Sequence, residues 1–451
     1  MELDPTIFKA YDIRGFYPEQ INSKMSYHIG RAVSTHLSPN RMMIGRDMRR
    51  SSNEIYGELI AGFLDSGVNV VDIGLTSTDQ FYHACAELES SGVMVTASHN
   101  PPKYGGFKIV EKIPYMLGWD GGLEEIYDLI LKEEYLEPEK KGQLIQSDVK
   151  QSFVNKIFSI VEPRSIAPIK IVADTGNGMA GPILQYTYSY LPQIDLVHIN
   201  PKPNGISPNH GWDPLQKENH RQLQKKVIDE NAQLGFAFDG DGDRFFVIDE
   251  KGNFVPGGFL TALFAQHILT KFPKSKVIYD VRSSWAIPDQ IKKYGGIPIE
   301  ERVGHTFIKK RMVKENAAFG GEGTGHYYFR DFHFSDSGIL PSLMFLEFFS
   351  GLAVPLSDIL AKFHAKYVSS GEINLPVKDM SKTLEMMEKI EKTFIKKARI
   401  EKRDGISVIF KNWHFNLRLS NTEPLLRLNL EAKSQVMLKQ KIDLLLSLLS
   451  E

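Results

Sequence analysis

Short apolar runs alternate with longer stretches in which apolar side chains recur every three or four positions. The first pattern predicts buried strands and the second predicts helices packed on them. Three times an apolar strand ends in an aspartate and a polar turn: Met42-Met43-Ile44-Gly45-Arg46-Asp47, Ile171-Val172-Ala173-Asp174-Thr175-Gly176 and Val277-Ile278-Tyr279-Asp280-Val281-Arg282. A helical stretch follows each, then a second short strand at Asn69–Ile73, Leu196–Ile199 and Ile297–Ile299, and a further helical segment. A third strand closes each unit, at Val93-Met94-Val95, Gly235-Phe236-Ala237-Phe238 and Ala317-Ala318-Phe319. Strand and helix alternating in this way predict α/β domains with mixed or parallel sheets and right-handed crossovers.

After about residue 365 the pattern changes. Ser381 to Arg399 reads as a charged amphipathic helix, Ile406–Phe410 and Trp413–Arg418 as a hairpin of alternating strands, and about Ser434 to the end as a last helix with Leu438, Ile442, Leu445 and Leu449 on its core face. The predicted fold is α/β: three similar α/β mixed-sheet domains and a smaller C-terminal α+β domain around a central cleft. The boundaries fall at 1–146, 147–249, 250–365 and 366–451.

A chain of 451 residues is too long for one hydrophobic core, in keeping with that division. Its net charge of −1 argues against general affinity for nucleic acid and for a small substrate. The single cysteine, Cys85, forms no internal disulfide, and the start Met1-Glu2-Leu3-Asp4-Pro5 lacks a signal pattern. The apolar stretch around Met344 is broken by Pro341 and Glu347, so no membrane span is expected and the cytoplasm is the expected compartment.

The loops after the three third strands carry the candidate chemistry. The first is Thr96-Ala97-Ser98-His99-Asn100-Pro101-Pro102, which sets a serine at a strand's carboxyl end, exposed at the mouth of a sheet where ligands of open α/β sheets bind. His99 beside it is a candidate proton carrier. The second is Asp239-Gly240-Asp241-Gly242-Asp243-Arg244. Alternate residues of an extended loop point the same way, so the three carboxylates can converge on a hard cation such as magnesium. A calcium-binding EF-hand is excluded, because Arg244 stands where a sharp-turn glycine is needed and the flanks read as strands. The third loop is Gly321-Glu322-Gly323-Thr324-Gly325-His326. In the last domain, Arg418-Leu419-Ser420-Asn421-Thr422-Glu423-Pro424, with Arg427 beyond it, has the composition of an anion cradle.

With these motifs and the opening Phe8-Lys9-Ala10-Tyr11-Asp12-Ile13-Arg14-Gly15, the whole chain resembles the α-D-phosphohexomutase family, and within it the phosphomannomutase/phosphoglucomutase branch. The resemblance implies an intramolecular phosphotransferase that interconverts hexose 1-phosphate and hexose 6-phosphate, with mannose or glucose as the hexose. It implies that Ser98 is carried as phosphoserine, that a 1,6-bisphosphate is the intermediate and activator, and that one Mg2+ per chain binds Asp239, Asp241, Asp243 and a phosphoserine oxygen. Arg14, Lys108 and Arg244 would neutralise the transferring group, with His99 and His326 as proton carriers. Tyr11, Arg282, His305, Glu322 and Thr324 would contact the sugar or line its cleft, and Arg418, Ser420, Asn421, Thr422 and Arg427 would hold the phosphate that does not react. The resemblance implies no membrane or nucleic-acid partner and a monomer or homodimer. Gly323 departs from the family's common Gly-Glu-Met-Ser-Gly-His loop and is expected to loosen it, which leaves the hexose open. A phosphoglucosamine mutase, a phosphoserine-dependent phosphatase and a non-catalytic sugar-phosphate sensor are the alternatives.

Overall fold

The computed structural model describes residues 3–420 and 424–450. It divides into two compact units, Met1–Val255 with Thr324–Leu352, and Pro256–Gly323 with Ala353–Glu451.

In the first unit, strands Arg41–Arg46, Asn69–Leu75 and Ser91–Val95 form the parallel centre of a sheet that Tyr104–Lys112 and then Ile13–Phe16 extend in antiparallel fashion. Helices Ser23–Leu37 and Arg50–Asp65 cross where Gly30 meets Gly62. A Cβ on Gly30 would lie 2.6 Å from the Leu59 carbonyl oxygen, so only glycine permits this approach. A second sheet runs Phe245–Ile248, Leu234–Phe238, Ile169–Asp174, Ile194–Ile199, the last three parallel. The apolar stretch around Met344 is the helix Ile339–Ser350, twelve residues long and buried. Its Phe345 packs on Phe236 and Phe245, and a fully buried phenylalanine contributes roughly 1.5–3 kcal/mol. Among the described residues, no helix is long and apolar enough to cross a membrane.

In the second unit, Ile297–Glu301, Lys276–Asp280 and Phe319–Gly321 are parallel neighbours. A separate antiparallel sheet runs Val368–Pro376, Leu425–Ala432, Trp413–Leu419, Ile406–Ile409, Arg399–Glu401, with helices Met380–Phe394 and Gln435–Ser450. The predicted hairpin is therefore the middle of a larger sheet. The helix expected through Arg399 stops at Phe394, because Arg399 already pairs with Ile409. The strand expected at Ala317 begins at Phe319, since Asn316 ends the preceding helix in the left-handed conformation and a connection intervenes.

Candidate active site

The loops after Ser91–Val95 and Leu234–Phe238 meet in the first unit. Ser98 Oγ donates to Asp239 Oδ2 at 3.1 Å. Ser98 is 2% exposed, so the expected open serine is instead buried: the aspartate loop lies over it, and a Cβ on Gly240 would come within 2.7 Å of the Ser98 carbonyl oxygen.

The aspartates converge by a different route from the one expected. The loop is a compact turn rather than an extended strand, with Gly242 at φ 78°, and it wraps around Asp239. Asp239 Oδ1 accepts from the backbone N–H groups of Gly242, Asp243 and Arg244 at 3.1–3.2 Å. That leaves Oδ2 facing Ser98. Asp241 Oδ2 accepts from Thr78 Oγ1 at 2.6 Å and Lys108 Nζ at 2.8 Å, and Lys108 also reaches Asp243 Oδ2 at 2.6 Å.

The outer oxygens, Asp241 Oδ1 and Asp243 Oδ1, are buried without a hydrogen-bond partner, and one oxygen from each of the three aspartates lies within 4.8 Å of the others. Unpaired carboxylate oxygens at low dielectric are costly, and an all-oxygen set suits a hard divalent cation. The residues present therefore fit a metal ion. Electrostatics agree. Burial, then Asp243 and Asp241, push the Asp239 carboxyl well above the usual carboxylate range. Burial opposes the charge of Lys108, yet the aspartates beside it outweigh that and keep it protonated.

Arg14 grips the serine loop from below, donating to Asn100 Oδ1 at 2.6 Å and the Ala97 carbonyl at 3.3 Å, while Asp12 orients it at 2.7 Å. His99 Nδ1 lies 3.2 Å from Ser98 Oγ. Burial, with Arg244 and Arg14 nearby, lowers its pKa well below the ordinary value, so the ring is neutral near pH 7. His326 Nε2 lies 3.1 Å from Arg244 Nε, which only donates, so the ring proton sits on Nδ1 and points to Asp336 Oδ2 at 2.9 Å. Asp336 and Thr78 were not found from sequence, because nothing in their neighbourhood along the chain marks them.

The second unit holds Arg282, Arg418 and Arg427. Arg418 and Arg427 are directly opposed on neighbouring strands, an arrangement that repels unless an anion intervenes. Glu372, another residue that the sequence did not mark, supplies one: its carboxylate lies 3.3 Å from Arg427 and 3.9 Å from both Arg418 and Arg282. Arg282 is also tied to Asp280 at 3.1 Å and lies 3.6 Å from Glu322. Ser420 N donates to the Leu425 carbonyl at 2.8 Å. Asn421 and Thr422 lie outside the described residues. His305 opens the helix His305–Glu315. Tyr11 is half-buried just before the strand Ile13–Phe16, and Thr324 is half-buried in the first unit. Gly323 N–H donates to Asp280 Oδ2 at 3.2 Å, and a Cβ added at Gly323 would meet nothing within 4 Å.

Models of the phosphoglucomutase/phosphomannomutase alpha/beta/alpha domains I, II and III and C-terminal domain match residues 5–137, 151–252, 256–367 and 372–443. A phosphomannomutase of Escherichia coli K12 is 36% identical over 99% of this chain and 99% of that protein. The chain belongs to the phosphoglucomutase/phosphomannomutase family. The family activity is that of a mutase, an intramolecular phosphotransferase. A phosphoglucomutase/phosphomannomutase family protein from Burkholderia thailandensis has a solved structure that superposes with a TM-score of 0.90, at 30% identity over 98% of this chain and 96% of that one. The fold is also shared, at TM-score 0.65 and 14% identity over 98% of this chain and 95% of that one, with an Aspergillus fumigatus N-acetylphosphoglucosamine mutase solved with GlcNAc-6P and magnesium.

Proposed function

We propose that this phosphoglucomutase/phosphomannomutase family enzyme interconverts hexose 1-phosphate and hexose 6-phosphate, with mannose as the first hexose to test, through a phosphoserine at Ser98. The observation that carries this reading is Ser98 Oγ at 3.1 Å from Asp239, inside a carboxylate cluster with unpartnered oxygens. The phosphoryl group leaves Ser98 Oγ for the free sugar hydroxyl, which gives a hexose 1,6-bisphosphate and a free serine; the intermediate turns, its other phosphoryl group returns to Ser98, and the isomeric monophosphate departs. Transfer of this kind needs positioning and charge neutralisation more than covalent help. Asp239, Asp241, Asp243 and Ser98 would hold Mg2+, which would neutralise charge on the transferring group. Arg14, Lys108 and Arg244 supply fixed positive charge to the same group. The neutral His99 ring is in the state to accept a proton, and His326 is the second carrier.

Tyr11, Arg282, His305, Glu322 and Thr324 are proposed for the sugar. Arg418, Ser420, Asn421, Thr422 and Arg427 are proposed for the resting phosphate, with a bisphosphate as activator. The domain limits 1–146, 147–249, 250–365 and 366–451, a cytoplasmic monomer or homodimer, and small phosphosugars as partners belong to the same proposal.

Two tests apply. Mannose 1-phosphate, glucose 1-phosphate and glucosamine 1-phosphate are assayed side by side with bisphosphate priming, and Ser98→Ala is expected to lose at least about 1,000-fold in kcat while keeping its melting temperature. Turnover near wild type in Ser98→Ala overturns the phosphoserine route. Magnesium at about 100 times its Kd is expected to stabilise the wild-type fold by about 2.7 kcal/mol, and this shift is lost in Asp241→Asn. Equal shifts in both proteins remove the aspartates as ligands.

A further inference from the structure

Arg49 is 1% exposed, one of the largest fully buried side chains of the described residues, and no motif of the proposed chemistry includes it. A buried guanidinium carries five N–H donors, and each left unpaired is costly. Here all five have acceptors. Nε donates to Asp47 Oδ2 at 3.0 Å. One terminal nitrogen donates to the carbonyls of Pro101 at 2.8 Å and Tyr104 at 3.2 Å. The other donates to the carbonyls of Ser98 at 2.7 Å and Asn100 at 2.6 Å. Four of the five acceptors are thus backbone oxygens of one segment, three in the loop that carries Ser98 and one at Tyr104, which opens the next strand.

The fork is itself fixed. Asp47 Oδ1 accepts from the Arg49 backbone N–H at 2.9 Å and from Ser52 Oγ at 2.6 Å, and Asp47 is fully buried. The ring of Trp212 lies against the guanidinium with its centroid at 4.5 Å. Trp212 also packs against Gly240 between Asp239 and Asp241, where an added Cβ would stand 3.0 Å from the indole. One side chain therefore touches the backbone of the serine loop on its hydrogen-bonding edge and, through Trp212, the aspartate loop on its face.

Ser98 needs such a hold. Its φ is 50°, in the left-handed region, which costs a residue with a side chain about 1–2 kcal/mol. Its N–H is tied to Thr96 Oγ1 at 2.9 Å and its carbonyl to Arg49, so both peptide groups flanking Ser98 Cα are pinned. Released, the residue relaxes toward negative φ and swings Oγ away from Asp239. A misplacement of about 1 Å at a reacting atom can cost roughly 100-fold in rate.

We propose that Arg49 is a positioning residue for the proposed reaction: its guanidinium tethers four carbonyls of the 97–105 segment, holds Ser98 in the left-handed conformation and, through Trp212, registers its hydroxyl against the aspartate loop. This rests on Ser98 being the group that carries the phosphoryl. Arg49→Lys keeps a charge for Asp47 but offers three donors of different geometry, so it cannot reproduce the fork. The expected result is a kcat lowered about 30-fold, a KM for hexose 1-phosphate within about threefold of wild type, and faster amide hydrogen exchange across residues 97–105, with exchange in the helix Ser23–Leu37 unchanged. Trp212→Leu leaves the hydrogen bonds and removes the face contact, and is expected to lower kcat about threefold to tenfold with KM unchanged. Wild-type kcat in Arg49→Lys while Ser98→Ala is inactive overturns the proposal and leaves the phosphoserine reading standing; full activity in Ser98→Ala removes both. Should Arg49→Lys yield no folded protein, Trp212→Leu decides, and wild-type kcat with wild-type exchange of 97–105 in that variant overturns the proposal.

Discussion

Arg49 and Arg282 stand at the same point of two similar strand–turn–helix units, one in each compact half of the molecule. Each follows a strand-ending aspartate by two residues; each N–H donates to that aspartate's Oδ1, at 2.9 Å for Arg49 and 2.8 Å for Arg282, and each Nε reaches the same carboxylate. The turn is the same, because the i, i+2 spacing closes it with a carboxylate cap, although Arg282 also donates to Asp280 Oδ2 from a terminal nitrogen at 3.2 Å. What the rest of the fork meets differs. Arg49 meets neutral backbone carbonyls, whereas Arg282 lies 3.6 Å from Glu322 and 3.9 Å from Glu372. Burial works against the charge of Arg282, but Asp280 and Glu322 outweigh it and hold the guanidinium above its usual range. A fork filled by carbonyls has nothing to exchange and serves as a strut. A fork facing carboxylates can exchange a protein partner for a substrate acceptor, which is what contact with a substrate requires.

Kinetics can break this distinction. Arg282→Lys is expected to raise KM for hexose 1-phosphate about tenfold or more with a smaller change in kcat, the reverse of the split expected at Arg49. The same kcat-dominated loss at both positions would erase the difference between strut and clamp. A smaller effect is expected from Glu372→Gln, which takes the shared carboxylate away from Arg427, Arg418 and Arg282. Substrate phosphate then displaces no anion, so KM falls about threefold, and the opposed arginines lower the melting temperature by about 2–4 °C. An unchanged KM there would show that Glu372 does not compete for the clamp.

The third strand-ending aspartate, Asp174, sharpens the comparison further, because its partner is a histidine: His210 Nε2 lies 3.0 Å from Asp174 Oδ2. Burial lowers the His210 pKa, but the bond to Asp174 overcomes it and the net shift is upward. A raised folded-state pKa means that this contact stabilises fully below the unfolded-state value and fades as pH rises through the folded-state value. Melting temperature measured from mildly acidic to alkaline pH is expected to include a decline of about 2 °C from this pair, absent in His210→Gln. A decline of equal size in that variant assigns it to other groups.

Legibility followed the range over which each role is set. The aspartate loop was readable because its three carboxylates lie within five residues, although their convergence comes from a turn around Asp239 and not from strand alternation. The arginines Arg418 and Arg427 stood out from their neighbourhood as candidates, but their direct opposition is a matter of strand register. Lys108 and Arg14 came only through resemblance, since an isolated lysine on a strand and an arginine near the start of a chain carry no local signal. Arg49 went unread for the same reason, its loop partners lying 49 to 55 residues away. The Asp-x-Arg spacing shared by Asp47–Arg49 and Asp280–Arg282 was the one available clue.

By itself, the sequence determined the alternation of strand and helix, the strand-end positions of the polar loops and the kinds of chemistry they contain, because periodicity and turn residues act over a few neighbours. Tertiary structure alone decided that Ser98 is buried rather than open, that Asp239 faces it, and that Glu372 stands among three arginines. Those outcomes depend on contacts between segments far apart in the chain. Their energies come from desolvation and charge at close range, and no local pattern encodes which segments will meet.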